Sequence, residues 1–297
     1  MSGRERQRGI VLVTVLWSIA LLSALAMAAS VSFRGFAAVT AIGRDRVQGE
    51  ALLTAGLEVA AAIVSSAEDT PLNGVETTMT LSTGIVGARV SDEGGRIDIG
   101  KAPVEVLTAL LRAVGAPDQK ADFIAAAIVQ WRNHVTAGPV VPGANSGNNA
   151  NGNTGNSART ADHPFADISE LSQVPGVAPS WIAAIRELAT VYGSETVNPL
   201  TAPAAVIAAL PGVDRNALAA FLAVRSQSPK DADRISSALG PAQRFLATKR
   251  QQVASVELQA RLNDGYSTTA HAVVVVLPQD SQPYRVLVWK PLPPSTL

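Results

Sequence analysis

From Ile10 to Phe33 the chain runs for 24 residues without a charged side chain, with Arg8 before it and Arg34 after it. A helix of that length rises about 36 Å, enough for the roughly 30 Å hydrocarbon core of a bilayer. So long an apolar run fixes the first element as a helix that lipid or other apolar helices must cover. Ahead of it lies a polar leader, residues 1–9, in which Arg4, Arg6 and Arg8 face the single acid Glu5. That basic excess orients the helix with its start in the cytoplasm and the bulk of the chain outside.

Three readings fit this start. A short basic leader, then Gly9, then a membrane-length helix from Ile10 is how substrates of a prepilin peptidase begin. Cleavage between Gly9 and Ile10 would make the apolar helix the new N-terminus, with Ile10 N-methylated. A secretory signal peptide is the second reading, since Ala26-Met27-Ala28 supplies a small-x-small pattern. Against it, the apolar run exceeds the usual h-region of about 7–15 residues, and helix-forming sequence continues past it. An uncleaved signal anchor is the third.

The 24 basic and 24 acidic residues cancel, so no global field draws the chain to nucleic acid or to an acidic partner. Aromatic residues make up only 4%, which argues against a large aromatic-lined ligand pocket. Without cysteine there are no disulfides, thiolate metal sites or cysteine nucleophiles.

Beyond the membrane-length run, residues 34–67 continue as helix, with Val47, Ala51, Leu52, Ala55 and Val59 at helical spacing. Gly43, Gly49 and Gly56 weaken it, which packing against a sheet would offset. Thr77–Ser82 and Ile85–Ser91 read as a hairpin turning at Thr83-Gly84. From Asp92 to about Arg250 the pattern is helical, over Thr108–Val114, Ala121–Trp131, Ser180–Val191, Ala202–Leu210 and Arg215–Arg225. Inside this block, residues 136–160 are rich in Asn and Gly and lack periodicity, which predicts a flexible loop. Strand patterns return over Ser255–Leu262, Ala272–Leu277 and Tyr284–Trp289, with a turn at Asn263-Asp264-Gly265. Two strand groups, each too small to stand alone, are best joined as one antiparallel sheet on the N-terminal helix. That is an α+β layout with the helical block inserted as a separate lobe.

The helical block repeats itself. Ala102-Pro103-Val104 and Ala202-Pro203-Ala204 both open helices, each with proline where a first turn tolerates it, and Thr201 is placed to cap the second. Val174-Pro175-Gly176-Val177 and Leu210-Pro211-Gly212-Val213 both look like the tight turn of a helix-hairpin-helix.

Taken in order, these motifs resemble the general secretion pathway protein K family, the minor pseudopilin K of type II secretion. The resemblance runs over nearly the whole chain. It begins at Arg8-Gly9-Ile10 and takes in Gly95-Arg96-Ile97-Asp98-Ile99, the stretch from Pro164 to Leu171, and Val174-Pro175-Gly176-Val177. Val191-Tyr192-Gly193, Thr201-Ala202-Pro203, Leu210-Pro211-Gly212 and Val286-Leu287-Val288-Trp289 complete it. Most pilin-like proteins carry glutamate at the fifth mature residue, a costly charge in a membrane unless paired. Here that position is Thr14, and the K family is known for lacking the glutamate.

The resemblance implies a pilin-like fold made of a leader (1–9), a transmembrane half-helix (10–33) and a first pilin-like part (34–91). A large all-α insertion of helix-hairpin-helix or SAM-like type (92–250) and a second pilin-like part (251–297) follow. It implies a structural role, capping the tip of a pseudopilus that drives folded proteins out of the periplasm. The implied partners are the minor pseudopilins I and J, prepilin peptidase and inner-membrane lipid, for a single-pass protein with its bulk in the periplasm. Relatives often bind calcium through acids after an aspartate-tryptophan pair. This chain has Gln130-Trp131-Arg132-Asn133 there, with Asp162 the only nearby acid before Asp167, so the expectation is no high-affinity calcium site and no other cofactor.

The alternative is a membrane-anchored DNA receptor of the competence type, since helix-hairpin-helix turns bind phosphate through backbone N–H groups. Residues 92–240 carry 11 basic and 14 acidic side chains, a net charge of −3. Asp214 also stands where a second glycine would approach the phosphate, so no nucleic-acid partner is expected. His134, His163 and His271 are far apart and sit in no triad or metal motif. Asp92-Glu93 and Asp231-Ala232-Asp233 read as loop and helix-start charges, and Trp131 and Trp181 as core. No catalytic residue is assigned and no enzyme is expected.

Overall fold

The computed structural model describes residues 4–67, 70–136, 164–229, 231–249, 251–277, 280 and 282–293. Helix α1, Arg4–Ser66, is 63 residues long, a rod of roughly 95 Å at the rise of an α-helix. Its distal half carries an apolar stripe, Leu52, Leu53, Leu57, Ala60 and Val64, that is buried on a sheet. Gly56 sits at the crossing. A Cβ there would lie 2.6 Å from Val86 Cγ2 and 3.1 Å from Leu258 Cδ2, so the helix reaches this depth only without a side chain. The glycine that weakens the helix locally is what lets it pack.

The sheet has five antiparallel strands in the order β1-β2-β5-β6-β7. Strands β1 (Val75–Leu81) and β2 (Gly84–Asp92) form the expected hairpin, with Ser82-Thr83 at its turn and Gly84 already paired opposite Leu81. β5 (Val253–Leu262), β6 (Ser267–Val276) and β7 (Tyr284–Leu292) complete the sheet. Alternation assigns the faces. Val86, Ala88, Val90, Val256, Leu258, Ala260, Ala270, Ala272 and Val274 pack beneath α1, while Arg89, Glu257, Gln259 and Arg261 point the other way. β2 and β5 pair from Gly84↔Leu262 to Asp92↔Ala254, so the chain leaves the sheet at Asp92 and returns at Val253.

The described residues between these points fold around a second core built on Ile97, Leu107, Leu110, Ile124, Phe165, Leu171, Ile185, Ile207 and Phe221. Its helices are α2 (Val104–Ala113), α3 (Asp118–Thr136), α4 (Pro179–Leu188), α5 (Ala204–Ala208), α6 (Arg215–Gln227) and α7 (Ala232–Ser237). Short 3-10 turns cover Glu93–Gly95, Ile168–Gln173 and Gly240–Phe245. Trp131 and Trp181 pack half-buried against this core. Gly176 and Gly212 hold φ of 92° and 78°, the left-handed geometry the two expected turns require.

Several expectations are corrected. The helix expected over Ser180–Val191 stops at Leu188, because Ala189–Thr190 form strand β4, pairing in parallel with β3, Ile97–Asp98. The Ala202–Leu210 helix shrinks to α5. Thr201 does not cap it; Pro203 holds the N-cap position, and the Thr201 hydroxyl lies 3.5 Å from Asp92. A 3-10 turn, not an α-helix, precedes Val174-Pro175-Gly176. Segment α7 was not among the expected helices, although Asp231-Ala232-Asp233 read as loop or helix-start charges; Asp231 caps it by accepting from the Arg234 N–H at 3.1 Å. His271 lies in the middle of β6 rather than at its start. The loop expected at 136–160 falls, apart from Thr136, outside the described residues, and so does His163.

Candidate functional site

Gly9 and Ile10 lie in the first turns of α1, and the helix passes through them without a break. Thr14 follows one turn on, exposed, with its carbonyl accepting the Ser18 hydroxyl at 2.8 Å. Val15, Leu16, Trp17, Ile19, Leu21, Leu22, Leu25 and Met27 are all more than half exposed, so this part of α1 needs an apolar environment. Among the described residues, Thr40–Ser66 is also long and apolar enough to cross a membrane, yet nearly half of it is buried, on the sheet. The uncovered apolar run from Val15 to Met27 lies in the first half of the helix, within the span expected from the sequence, while Ile42 and Val47 are exposed beyond it.

At the opposite end of the sheet stands a buried junction. Gly49 meets Tyr266 and Thr268 at the β5–β6 turn; from there α1 runs toward Leu72, next to which β2 ends. There Asp92 accepts the Gly94 N–H at 2.8 Å and Glu93, 3% exposed, accepts the Thr190 hydroxyl and lies 3.8 Å from Arg96. Asp98 accepts from Gly100 N at 2.7 Å, and Asn198 N donates to Gly94 O at 2.7 Å. Buried carboxylates persist only where donors meet them. Asp92 and Glu93, expected as loop charges, are instead the fastening between the sheet and the helical block.

The repeat seen in the sequence has a shared device. Arg132, on α3, donates from Nη1 to the carbonyls of Ala102 (2.8 Å) and Gly100 (3.3 Å). Arg225, on α6, donates from Nη1 to those of Ala202 (2.6 Å) and Pro199 (3.3 Å). Each guanidinium ties the entry of an alanine-proline helix to a later helix, and burial lowers the pKa of both arginines. Each module's arginine was visible in the sequence, but spacings of 30 and 23 residues from the alanines conceal the equivalence.

These contacts also test the calcium site. Gln130, Trp131, Arg132 and Asn133 contribute no carboxylate, and Arg132 places a fixed positive charge on two carbonyls that could have faced a cation. The residues described there do not fit a calcium shell. No group of three or more His, Asp or Glu residues placed to hold a metal occurs among the described residues. At the α6 N-terminus the Asp214 carboxylate accepts from the Ala217 N–H at 2.8 Å, so an acid occupies the place an incoming phosphate would need.

A second contact joins the block to the sheet face opposite α1. Lys290 of β7 donates to the Asp167 carboxylate, and Ser169 N donates to the same group at 2.8 Å. Burial pushes the Asp167 carboxyl up, but Lys290 and Ser169 outweigh it and hold the pKa at about 2. Tyr192, whose hydroxyl donates to Ala166 O at 3.3 Å, is pushed up to about 12 by burial and by Asp167 and Glu93. Gly9, Ile10 and Thr14 thus lie together on α1, while Glu93, Arg132, Asp167, Arg225 and Lys290, none assigned from sequence, hold the block.

Residues 88–194, from the last turns of β2 to just past β4, match the family described as type II secretion system (T2SS), protein K. No curated protein sequence matches the chain. Among solved structures, a chain of the GspK-GspI-GspJ complex from the enterotoxigenic Escherichia coli type 2 secretion system is similar in fold, with a TM-score of 0.58 at 14% identity. That likeness covers 86% of this chain and 99% of the other. Residues 88–194 of this chain are thus similar in sequence to type II secretion protein K, and the chain as a whole is similar in fold to a member of the GspK-GspI-GspJ complex.

Proposed function

We propose that this chain is an inner-membrane minor pseudopilin that caps the tip of the type II secretion pseudopilus. The observation that carries the reading is the opposition of two ends. The part of α1 that carries the exposed apolar side chains from Val15 to Met27 leaves the sheet past Gly49 and the β5–β6 turn, whereas the helical block departs from Asp92 and Val253 at the other end. A subunit held in the membrane by α1 would carry the block at its far end, where it obstructs a further subunit from stacking. In this reading residues 34–91 and 251–297 are the two parts of a pilin-like domain and residues 92–250 an insertion in it. Prepilin peptidase cuts between Gly9 and Ile10 and methylates Ile10, and the helix start faces the cytoplasm. Neighbouring subunits of the I and J type, which accompany the K protein in the solved complex, pack beside α1 and the sheet. With a threonine at position 14, the chain brings no buried carboxylate into that packing.

The test replaces residues 93–252 by a short turn joining β2 to β5, which already pair. Loss of export and of tip placement, with α1 and the sheet still folded, is the expected result. Normal export with the truncated protein still found at the tip would refute the capping role.

A further inference from the structure

The helical block also reaches over the sheet face that α1 leaves free, and there the strands line up one row of polar side chains. Glu76, Arg89, Glu257, His271 and Lys290 are successive cross-strand partners in β1, β2, β5, β6 and β7. Directly opposed side chains stand about 5 Å apart and interact. At the β1 end the row is open to water, with Glu76 and Arg89 paired at 2.6 Å. At the β7 end the block lies across it, enclosing a cleft of about 330 Å³ with His271 half-buried inside.

Every element around the cleft contributes charge. Glu93 and Arg96 face His271 from the junction, Glu257 from β5 and Lys290 from β7. Asp167, Arg186, Glu187 and Tyr192 line the same space from the block. Glu93 already receives Thr190 and has Arg96 beside it, and Lys290 is bound to Asp167. The two acids nearest the imidazole are matched by two bases. Asp167, Glu187 and Arg186 add one net negative charge at the rim, so what opposes an imidazolium here is the dryness of the cleft rather than its charge balance.

We propose that His271 is a proton-sensitive latch between the helical block and the sheet: the neutral imidazole permits the block to lie on this face, and protonation favours a state in which the block lifts and water enters the cleft. Burial lowers the pKa of His271 below its ordinary value of 6.5 in the docked state. Lifting restores that value, so the docked state loses stability as pH falls through 6.5 toward the lowered value, and holds it fully above. Asp167, held at about 2, keeps its charge throughout this window. The latch does not depend on where the protein sits in a pseudopilus.

Hydrogen exchange of the full chain in lipid nanodiscs, at pH 7.5 and 5.5 with intrinsic rates scaled out, tests it. Protection of peptides spanning residues 189–193 and 267–276 should fall severalfold at the lower pH in the natural chain, while Leu53–Val64 stays protected. His271→Gln, neutral at both values, should keep its protection. Equal losses in both proteins, or no loss in either, would overturn the latch. A second readout needs no variant at residue 271. With His134 and His163 replaced by Gln, the remaining imidazole should titrate below 6.5 in the NMR spectrum, and a midpoint at or above 6.5 would equally overturn it.

Discussion

Lys290, near the end of the last strand, is bound to Asp167, which caps a 3-10 turn of the helical block. One ion pair thereby ties the edge of the sheet to the lobe lying across it. Both side chains keep contact with water, at 51% and 34% exposure, which screens the pair. Asp167→Asn should cost about 1 kcal/mol or less at neutral pH, and less at high salt. Because the carboxyl is held at about 2 rather than its ordinary 3.8, its contribution is present above 3.8 and lost as pH falls through 2. Thermal unfolding from pH 7 down to pH 2 should therefore show the natural chain converging on the variant.

Gly56→Leu should be severely destabilising. Its Cβ alone would come within 2.6 Å of Val86, and the remaining atoms would push α1 off β2 and β5. Overpacking of this kind costs about 1–3 kcal/mol or more, read as a lower midpoint in denaturant. Gly43→Leu, with nothing within 4 Å of its Cβ, should unfold at or above the natural midpoint.

Removing either guanidinium should loosen its own module. Arg225→Met leaves the Ala202 and Pro199 carbonyls without that donor, a loss of about 1–3 kcal/mol for bonds to a charged group. Arg132→Met should do the same at Ala102 and Gly100. With no carbonyl shared between them, the two losses should add in the double variant, measured by denaturant unfolding.

Processing gives a fourth expectation. If cleavage falls between Gly9 and Ile10 as proposed, Gly9→Val should abolish it, and intact mass from the native membrane would show the leader retained. A natural chain beginning near Ala29 would instead identify a secretory signal and remove the membrane-held subunit from consideration.

Much of the sheet was legible because its signals are local. Alternation at Val86, Ala88 and Val90, and again at Val256, Leu258 and Ala260, marks one buried face, and Asn263-Asp264-Gly265 marks a turn. The alanine-proline repeat pointed to paired helices for a similar reason. Features made by partners distant in sequence were hidden. Ala189-Thr190 reads as the end of a helix until Ile97-Asp98 lies alongside it. Glu93 reads as a loop acid until Thr190 closes over it. Lys290 and Asp167 carry no pattern of their own and acquire their roles only when the block meets the sheet. Thr201 misled for the same reason, its hydroxyl turned toward Asp92 rather than its own helix.

The pairing of β2 with β5 has a consequence for how the chain acquires its shape. Asp92 and Ala254 are neighbours across two strands, yet the entire helical block lies between them in sequence. Bringing such distant residues together carries a loop-closure entropy that a pre-folded block would reduce, because its own ends would already be fixed near one another. Loop-closure entropy thus favours an order in which the helices form first and strand registry follows. A lesion anywhere inside the block would surface at a distance, as a β1–β2 hairpin left with a bare edge.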